Sequence, residues 1–117
     1  MSYVIQEEKT YPASFDELHK AVLGAISGLE GSVLTDDPAA GRLKAKFSKT
    51  ILGNVLGDRT QLNIVFEKTS AEETKISLKI FPINPVGQEL LFGARKGVPR
   101  KVLTWFIAHS VHRLEKE

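Results

Sequence analysis

His109 and His112 stand three residues apart, a spacing at which consecutive turns of a helix could offer two imidazoles to one metal ion. A third ligand is missing nearby, because Glu115 would turn to a different face. The pair therefore reads first as surface or interface histidines, and no metal or other cofactor is assigned. Trp105 accompanies them. At roughly 100° per residue it falls about 200° from Leu103, nearly opposite the apolar stripe of the same helix, with Lys101 alongside. A tryptophan there either docks a partner chain or ligand, or is covered by a neighbouring segment.

Basic residues make a second candidate. Arg42, Lys44, Lys46, Lys75 and Lys79 would share the wet face of alternating strands, and Arg95, Lys96, Arg100 and Lys101 cluster where the last helix begins. Free N–H groups at a helix start also favour anions, so the set could hold a nucleic-acid backbone or acidic membrane head groups. No aromatic row interleaves the lysines, as stacking on single strands would require. Lysine on an exposed strand face is also ordinary solubilising chemistry. Residues 1–37 carry 2 bases against 7 acids, whereas residues 38–117 carry 14 against 7. The simpler reading is that the two parts neutralise each other on folding, since the whole chain is only +2.

Two connections are unusually apolar. One holds Ile51, Leu52, Val55 and Leu56, and the other, Pro82–Gly97, holds Val86, Leu90, Leu91 and Phe92. Long connections of this kind are lids, interfaces or disordered segments. These side chains either extend the core or line a pocket or subunit contact, and Gly53-Asn54 could turn a hairpin.

Catalysis has less to work with. The chain lacks a Gly-Lys-Ser/Thr phosphate loop, a Gly-x-Ser-x-Gly elbow and a Gly-x-Gly-x-x-Gly turn. No carboxylate stands inside an apolar stripe, and Asp36 and Asp37 read as a turn pair. Cysteine is absent, which removes disulfides and thiolate metal sites. Glu7 and Glu8 occupy the place where a secretory leader needs a basic start and an apolar run, so a cytoplasmic protein is expected.

The elements that would position these residues follow from local patterns. A strand over Ser2–Tyr11 ends at Pro12-Ala13. Ser14 and Glu17 then form a capping box for a helix over 14–30, with Leu18, Val22, Ala25 and Leu29 at helical spacing. A short strand, Ser32–Thr35, leads into the turn Asp36–Gly41. Three alternating runs follow: Leu43, Ala45 and Phe47; Leu62, Ile64 and Phe66; and Ile76, Leu78 and Ile80. A last helix runs from about Pro99 to Glu115, with Leu103, Phe106, Ile107, Ser110, Val111 and Leu114 as its core stripe. The order β-α-β-β-β-β-α predicts a single α+β domain over 1–117, an antiparallel meander with both helices packed on one face in two layers.

This order, with Tyr11-Pro12-Ala13-Ser14-Phe15-Asp16-Glu17 and Asp36-Asp37-Pro38-Ala39-Ala40-Gly41-Arg42-Leu43, resembles small prokaryotic domains of unknown function. Those domains share a TATA-binding-protein-like half-unit or the helix-grip layout. The resemblance implies a fold and carries no functional residues. Helix-grip families that bind lipids and polyketides have more strands and a larger cavity than this length accommodates.

Three functions fit these readings. The first is a non-enzymatic binding or assembly module, which forms a homo-oligomer or captures a small apolar ligand through the apolar loops and the Trp105–His109–His112 face. The second is an anion-binding module that uses the basic set on nucleic acid or a membrane surface. The third is a small enzyme whose site is completed across a dimer.

Overall fold

A computed structural model describes residues 3–116. In chain order its elements are β1 (Ile5–Tyr11), α1 (Phe15–Gly28), β2 (Ser32–Asp37), β3 (Arg42–Phe47), β4 (Thr50–Ile51), β5 (Asn54–Val55), β6 (Arg59–Ser70), β7 (Glu73–Ile83) and α2 (Val98–Glu115). Ser14 caps α1 as its neighbours predict. Its hydroxyl accepts the Glu17 amide at 3.2 Å, and the Glu17 carboxylate accepts the Ser14 amide at 3.3 Å. Two donors without helical partners are thereby satisfied at the helix start.

Five strands form one antiparallel sheet in the order β1-β7-β6-β3-β2. The alternating runs place Leu43, Ala45, Phe47, Leu62, Ile64, Ile76, Leu78 and Ile80 on one face, all buried. Both helices cover that face, and α2 lies against α1 and β7. The space between the layers is filled by side chains such as Phe47, Phe106, Leu18, Ile26 and Leu103. The other face carries the polar residues. This is the two-layer α+β arrangement that the alternation and the helical stripes require.

The departures from expectation have local causes. Ser2, at the start of the expected first strand, lies outside the described residues. Asp36 and Asp37 belong to β2 and not to a turn, and a bulge between Val33 and Thr35 shifts their register. The bulge brings Asp36 opposite Leu43, onto the covered face, where its carboxylate meets His19 Nε2 of α1 at 3.0 Å. His19 in turn stacks on Phe15 and lies edge-on to Phe66. β4 and β5 form a small separate hairpin whose turn is Leu52-Gly53, one residue earlier than Gly53-Asn54.

Trp105 is also placed differently from expectation. It is half-buried and packs against the core, so it does not stand on an open outer face. The buried side of α2 comprises Val98, Pro99, Val102, Leu103, Phe106 and Ser110, while Ile107, Val111 and Leu114 are half-buried. α2 sits in a trough between α1 and the sheet, so it buries a broad arc with two flanks and not one narrow stripe. Gly24 and Gly28 of α1 make room for it: a side-chain carbon at Gly24 would lie 2.8 Å from Arg113, and one at Gly28 would lie 3.3 Å from His109.

Candidate functional site

The ends of β3 and β7 and the start of β6 meet at one end of the sheet, because Phe47 pairs with Thr60 and Arg59 pairs with Ile83. Both apolar connections spring from that end. The β4–β5 hairpin is fastened by the Leu56 amide on the Lys49 carbonyl, 2.7 Å, and by the Leu52 amide on the Glu30 carboxylate, 2.6 Å. Residues 84–97 fold back along β7 through the Leu90 amide on the Pro82 carbonyl, 2.9 Å, and an Asn84–Gln88 turn. The two connections then join, since the Arg95 amide donates to Asp58 and the Arg95 side chain lies flat on Gly57. Glycine suits position 57 because its φ is 95°, and a side-chain carbon there would also displace the Arg95 side chain.

The apolar residues of this end divide into two sets. Ile51 and Leu56 are buried in the core and Leu90 is half-buried. Leu52, Val55, Leu91 and Phe92 face outward, and so does Val86. Sequence position cannot separate the sets, because hairpin geometry alone turns Ile51 in and Leu52 out. Leu52 holds a left-handed φ of 49° and Glu30 one of 61°, a conformation that costs a side-chain-bearing residue roughly 1–2 kcal/mol. Their shared hydrogen bond links the end of α1 to the hairpin.

Thr60 is the residue of this end that sequence reasoning missed. It occupies an inward position of β6 beside Phe47 and is wholly buried, and its hydroxyl has no hydrogen-bond partner among the described residues. The alternation of β6 placed it inward, but a hydroxyl without a partner there could not be foreseen. Ser110 of α2 carries a second such hydroxyl.

The Trp105 face is not brought to the loops. α2 starts at the loop end and runs away from it, so His112 lies about 20 Å along the axis from Val98. Trp105 and His109 are half-buried, with His109 beside Gly28 of α1, whereas His112 is exposed. Among the described residues, no three His, Asp or Glu side chains converge on a metal-sized point.

The strand bases Arg42, Lys44, Lys46, Lys75 and Lys79 lie on the open face of the sheet, and Arg95, Lys96, Arg100 and Lys101 lie around the start of α2. Arg42 lies beside Asp37 in the register, and Lys75 pairs with Glu8 at 3.1 Å. Arg95 is spread over Gly57, and Arg100 pairs with Glu7. Lys96 and Lys101 stay exposed at the start of α2, and Lys44 and Lys79 flank Asn63 on the open face of the sheet. Lys46 and Arg59 border a groove of about 490 Å³ with mixed polar and apolar walls, among them Ser32, Gln61, Leu34 and the Asn84–Gly87 turn.

β1 holds a further surprise. Glu7 and Tyr11 stand opposite Leu78 and Thr74, so both face the helices. Burial pushes the Tyr11 phenol above its ordinary value of 10.0, and the Glu7 carboxylate adds to the shift. A phenol whose folded pKa is raised contributes stability below the unfolded value and loses that contribution as pH rises through the folded one. Tyr11→Phe should therefore lose less stability than the parent chain above about pH 10. Urea melts across that range check this, and parallel curves for both chains would refute it.

No family model and no curated protein matches the chain. Solved structures do match it in shape. The di-domain ARO/CYC StfQ from the steffimycin biosynthetic pathway superposes with a TM-score of 0.61 at 12% identity over 96% of this chain. That match takes in 44% of StfQ, so the chain spans less than half of that protein. Ara h 8.0201 superposes at 0.58 with 12% identity over 96% of this chain and 97% of its own. An uncharacterised protein from Bacillus thuringiensis superposes at 0.51 with 6% identity, over 95% of both chains. The topology is helix-grip-like. The TATA-binding-protein-like half-unit receives no support from these neighbours.

Proposed function

We propose that the chain is a non-enzymatic binding module, capturing a small and largely apolar molecule at the loop-bearing end of the sheet. The observation that carries this reading is the Thr60 hydroxyl, buried at that end without a hydrogen-bond partner among the described residues. Such a group costs about 1–3 kcal/mol when left unpaired, so a buried one calls for an explanation. A ligand with one hydrogen-bonding atom supplies it. Phe47 and Pro82 flank Thr60 on the neighbouring strands, and Ile51 and Leu56 are buried in the core at the same end. Because side chains fill the interior, the ligand enters by parting the loops and the start of α2, not by occupying a ready chamber. The similarity in fold to StfQ and Ara h 8.0201 supports a binding role at that level only.

Titration with 2-naphthol, an apolar probe with one hydroxyl, should shift backbone amides of residues 51–60 and 90–102 saturably. Thr60→Val should leave stability unchanged or raise it by about 1 kcal/mol, since it removes an unpaired hydroxyl. The same change should weaken 2-naphthol more than naphthalene. Equal effects on both probes, or shifts confined to other parts of the chain, would remove the reading. A stable dimer in light scattering that excludes the probe would favour the assembly function instead.

A further inference from the structure

Three outward apolar residues share a local design. Leu52, Val86 and Phe92 each precede a glycine with positive φ: Gly53 at 81°, Gly87 at 89° and Gly93 at 75°. None of these glycines has another atom within 4 Å of where a side-chain carbon would sit, so no neighbour packs on any of the three. Turn positions before such glycines favour Asn or Asp, which tolerate the geometry and the water. Here the residues are 54%, 79% and 84% exposed, and all three tips arise at the same end of the sheet. Leu52 is in addition held in the left-handed region. Neither solvation nor backbone preference accounts for three apolar tips.

Bases flank them. Lys49 precedes the hairpin tip, and Arg95 and Lys96 follow Phe92, all exposed. Of the nearby acids, Glu30 and Asp58 are engaged by the amides of Leu52 and Arg95, while Glu89 stands exposed between the second and third tips, opposite Ile83.

We propose that this end docks on an anionic lipid bilayer, with the three tips entering the boundary between head groups and acyl chains. Lys49, Arg95 and Lys96 then meet the lipid phosphates and carboxylates. Separate prongs suit a fluid surface that closes around each side chain, whereas a protein partner would need a matching socket for every one. A second copy on a twofold axis would bring the same bases near their own images. Among the described residues no helix is long and apolar enough to cross a membrane. The proposal is independent of small-molecule capture, which uses the inward residues.

Cosedimentation of the whole chain with vesicles tests it. The chain should pellet with phosphatidylcholine vesicles containing about one-third phosphatidylserine and stay in solution with phosphatidylcholine alone. Each of Lys49→Gln and Lys96→Gln should weaken binding about fivefold. The combined Leu52→Ser, Val86→Ser, Phe92→Ser change should weaken it at least tenfold, with an unchanged circular dichroism spectrum because all three sites are exposed. In a Trp105→Phe background, Phe92→Trp should emit at shorter wavelength when the mixed vesicles are added. No binding to mixed vesicles, or equal binding by the triple variant, overturns the proposal. A dimer in solution that the triple variant dissolves, without vesicle binding, assigns the tips to a second copy and overturns it as well. Retained 2-naphthol binding in any of these cases leaves the ligand reading intact.

Discussion

Replacing Phe106 by Ala should lower the unfolding free energy by about 3–5 kcal/mol, the largest loss expected from a single truncation in α2. Phe106 is 1% exposed and sits mid-way along the buried side of α2. Its ring belongs to the cluster that joins both helices to the sheet. Truncation removes the transfer energy of the ring and leaves a cavity that surrounding strands cannot close, because the sheet is tied by ladder hydrogen bonds. A domain of this size has only about 5–15 kcal/mol in total, so the variant would stand near its unfolding threshold. Urea unfolding followed by Trp105 fluorescence measures the change, which should appear as a lower midpoint with an unaltered slope. A loss under about 1 kcal/mol would mean that α2 is not held through this ring. The same variant bears on function: a new apolar space beneath α2 should admit naphthalene more readily than the parent does.

Gly41→Ala should be nearly as damaging, by about 2–3 kcal/mol, through a different mechanism. Gly41 closes the turn between β2 and β3 with a φ of 66°. An added side-chain carbon would stand 2.6 Å from the Phe66 carbonyl oxygen, a backbone atom that cannot rotate away. The turn is bound to β6 there, since the Phe66 amide donates to the Gly41 carbonyl at 2.7 Å. Alanine therefore adds backbone strain and pushes apart a hydrogen-bonded pair. Gly53→Ala is the control: its φ of 81° imposes the strain, but nothing lies within 4 Å. It should cost about 1–2 kcal/mol. Equal losses at the two sites would show that the clash at Gly41 relaxes without consequence.

The contrast between those glycines shows where sequence reading stops. Asp-Asp-Pro-Ala-Ala-Gly announces a turn, and Leu-Gly-Asn allows one, yet only the fold puts the first against a neighbouring strand and leaves the second free. Trp105 shows the same limit. Helical spacing set it opposite Leu103, but α2 is gripped from two sides, so a residue off the main stripe still reaches the core. In β1 the sequence alternates Ile5, Glu7, Lys9 and Tyr11 against Gln6, Glu8 and Thr10, and neither face is clearly apolar. Its orientation is settled by pairing with β7, more than sixty residues away, and by the Thr74 hydroxyl donating to the Ala13 carbonyl at 2.9 Å.

For the candidate site, the apolar connections were visible as runs of Ile, Leu, Val and Phe outside any strand or helix. Their division into buried Ile51 and Leu56 and exposed Leu52, Val86 and Phe92 was not visible. That division depends on which way a turn faces, which a one-residue shift in pairing would reverse. Of the basic set, the strand residues lie on the open face that alternation implies, and the ion pairs of Lys75 with Glu8 and of Arg100 with Glu7 depend on contacts distant in the chain.

By itself the sequence determined the helices, the inward faces of the middle strands and the capping box, because those depend on periods of two and 3.6 residues and on contacts three residues apart. Tertiary structure alone decided the neighbour of β1, the bulge that turns Asp36 toward His19, the solitary Thr60 hydroxyl and the gathering of three apolar tips at one end. Each of those rests on contacts between residues distant in the chain, where side-chain pattern carries no information about which partner arrives.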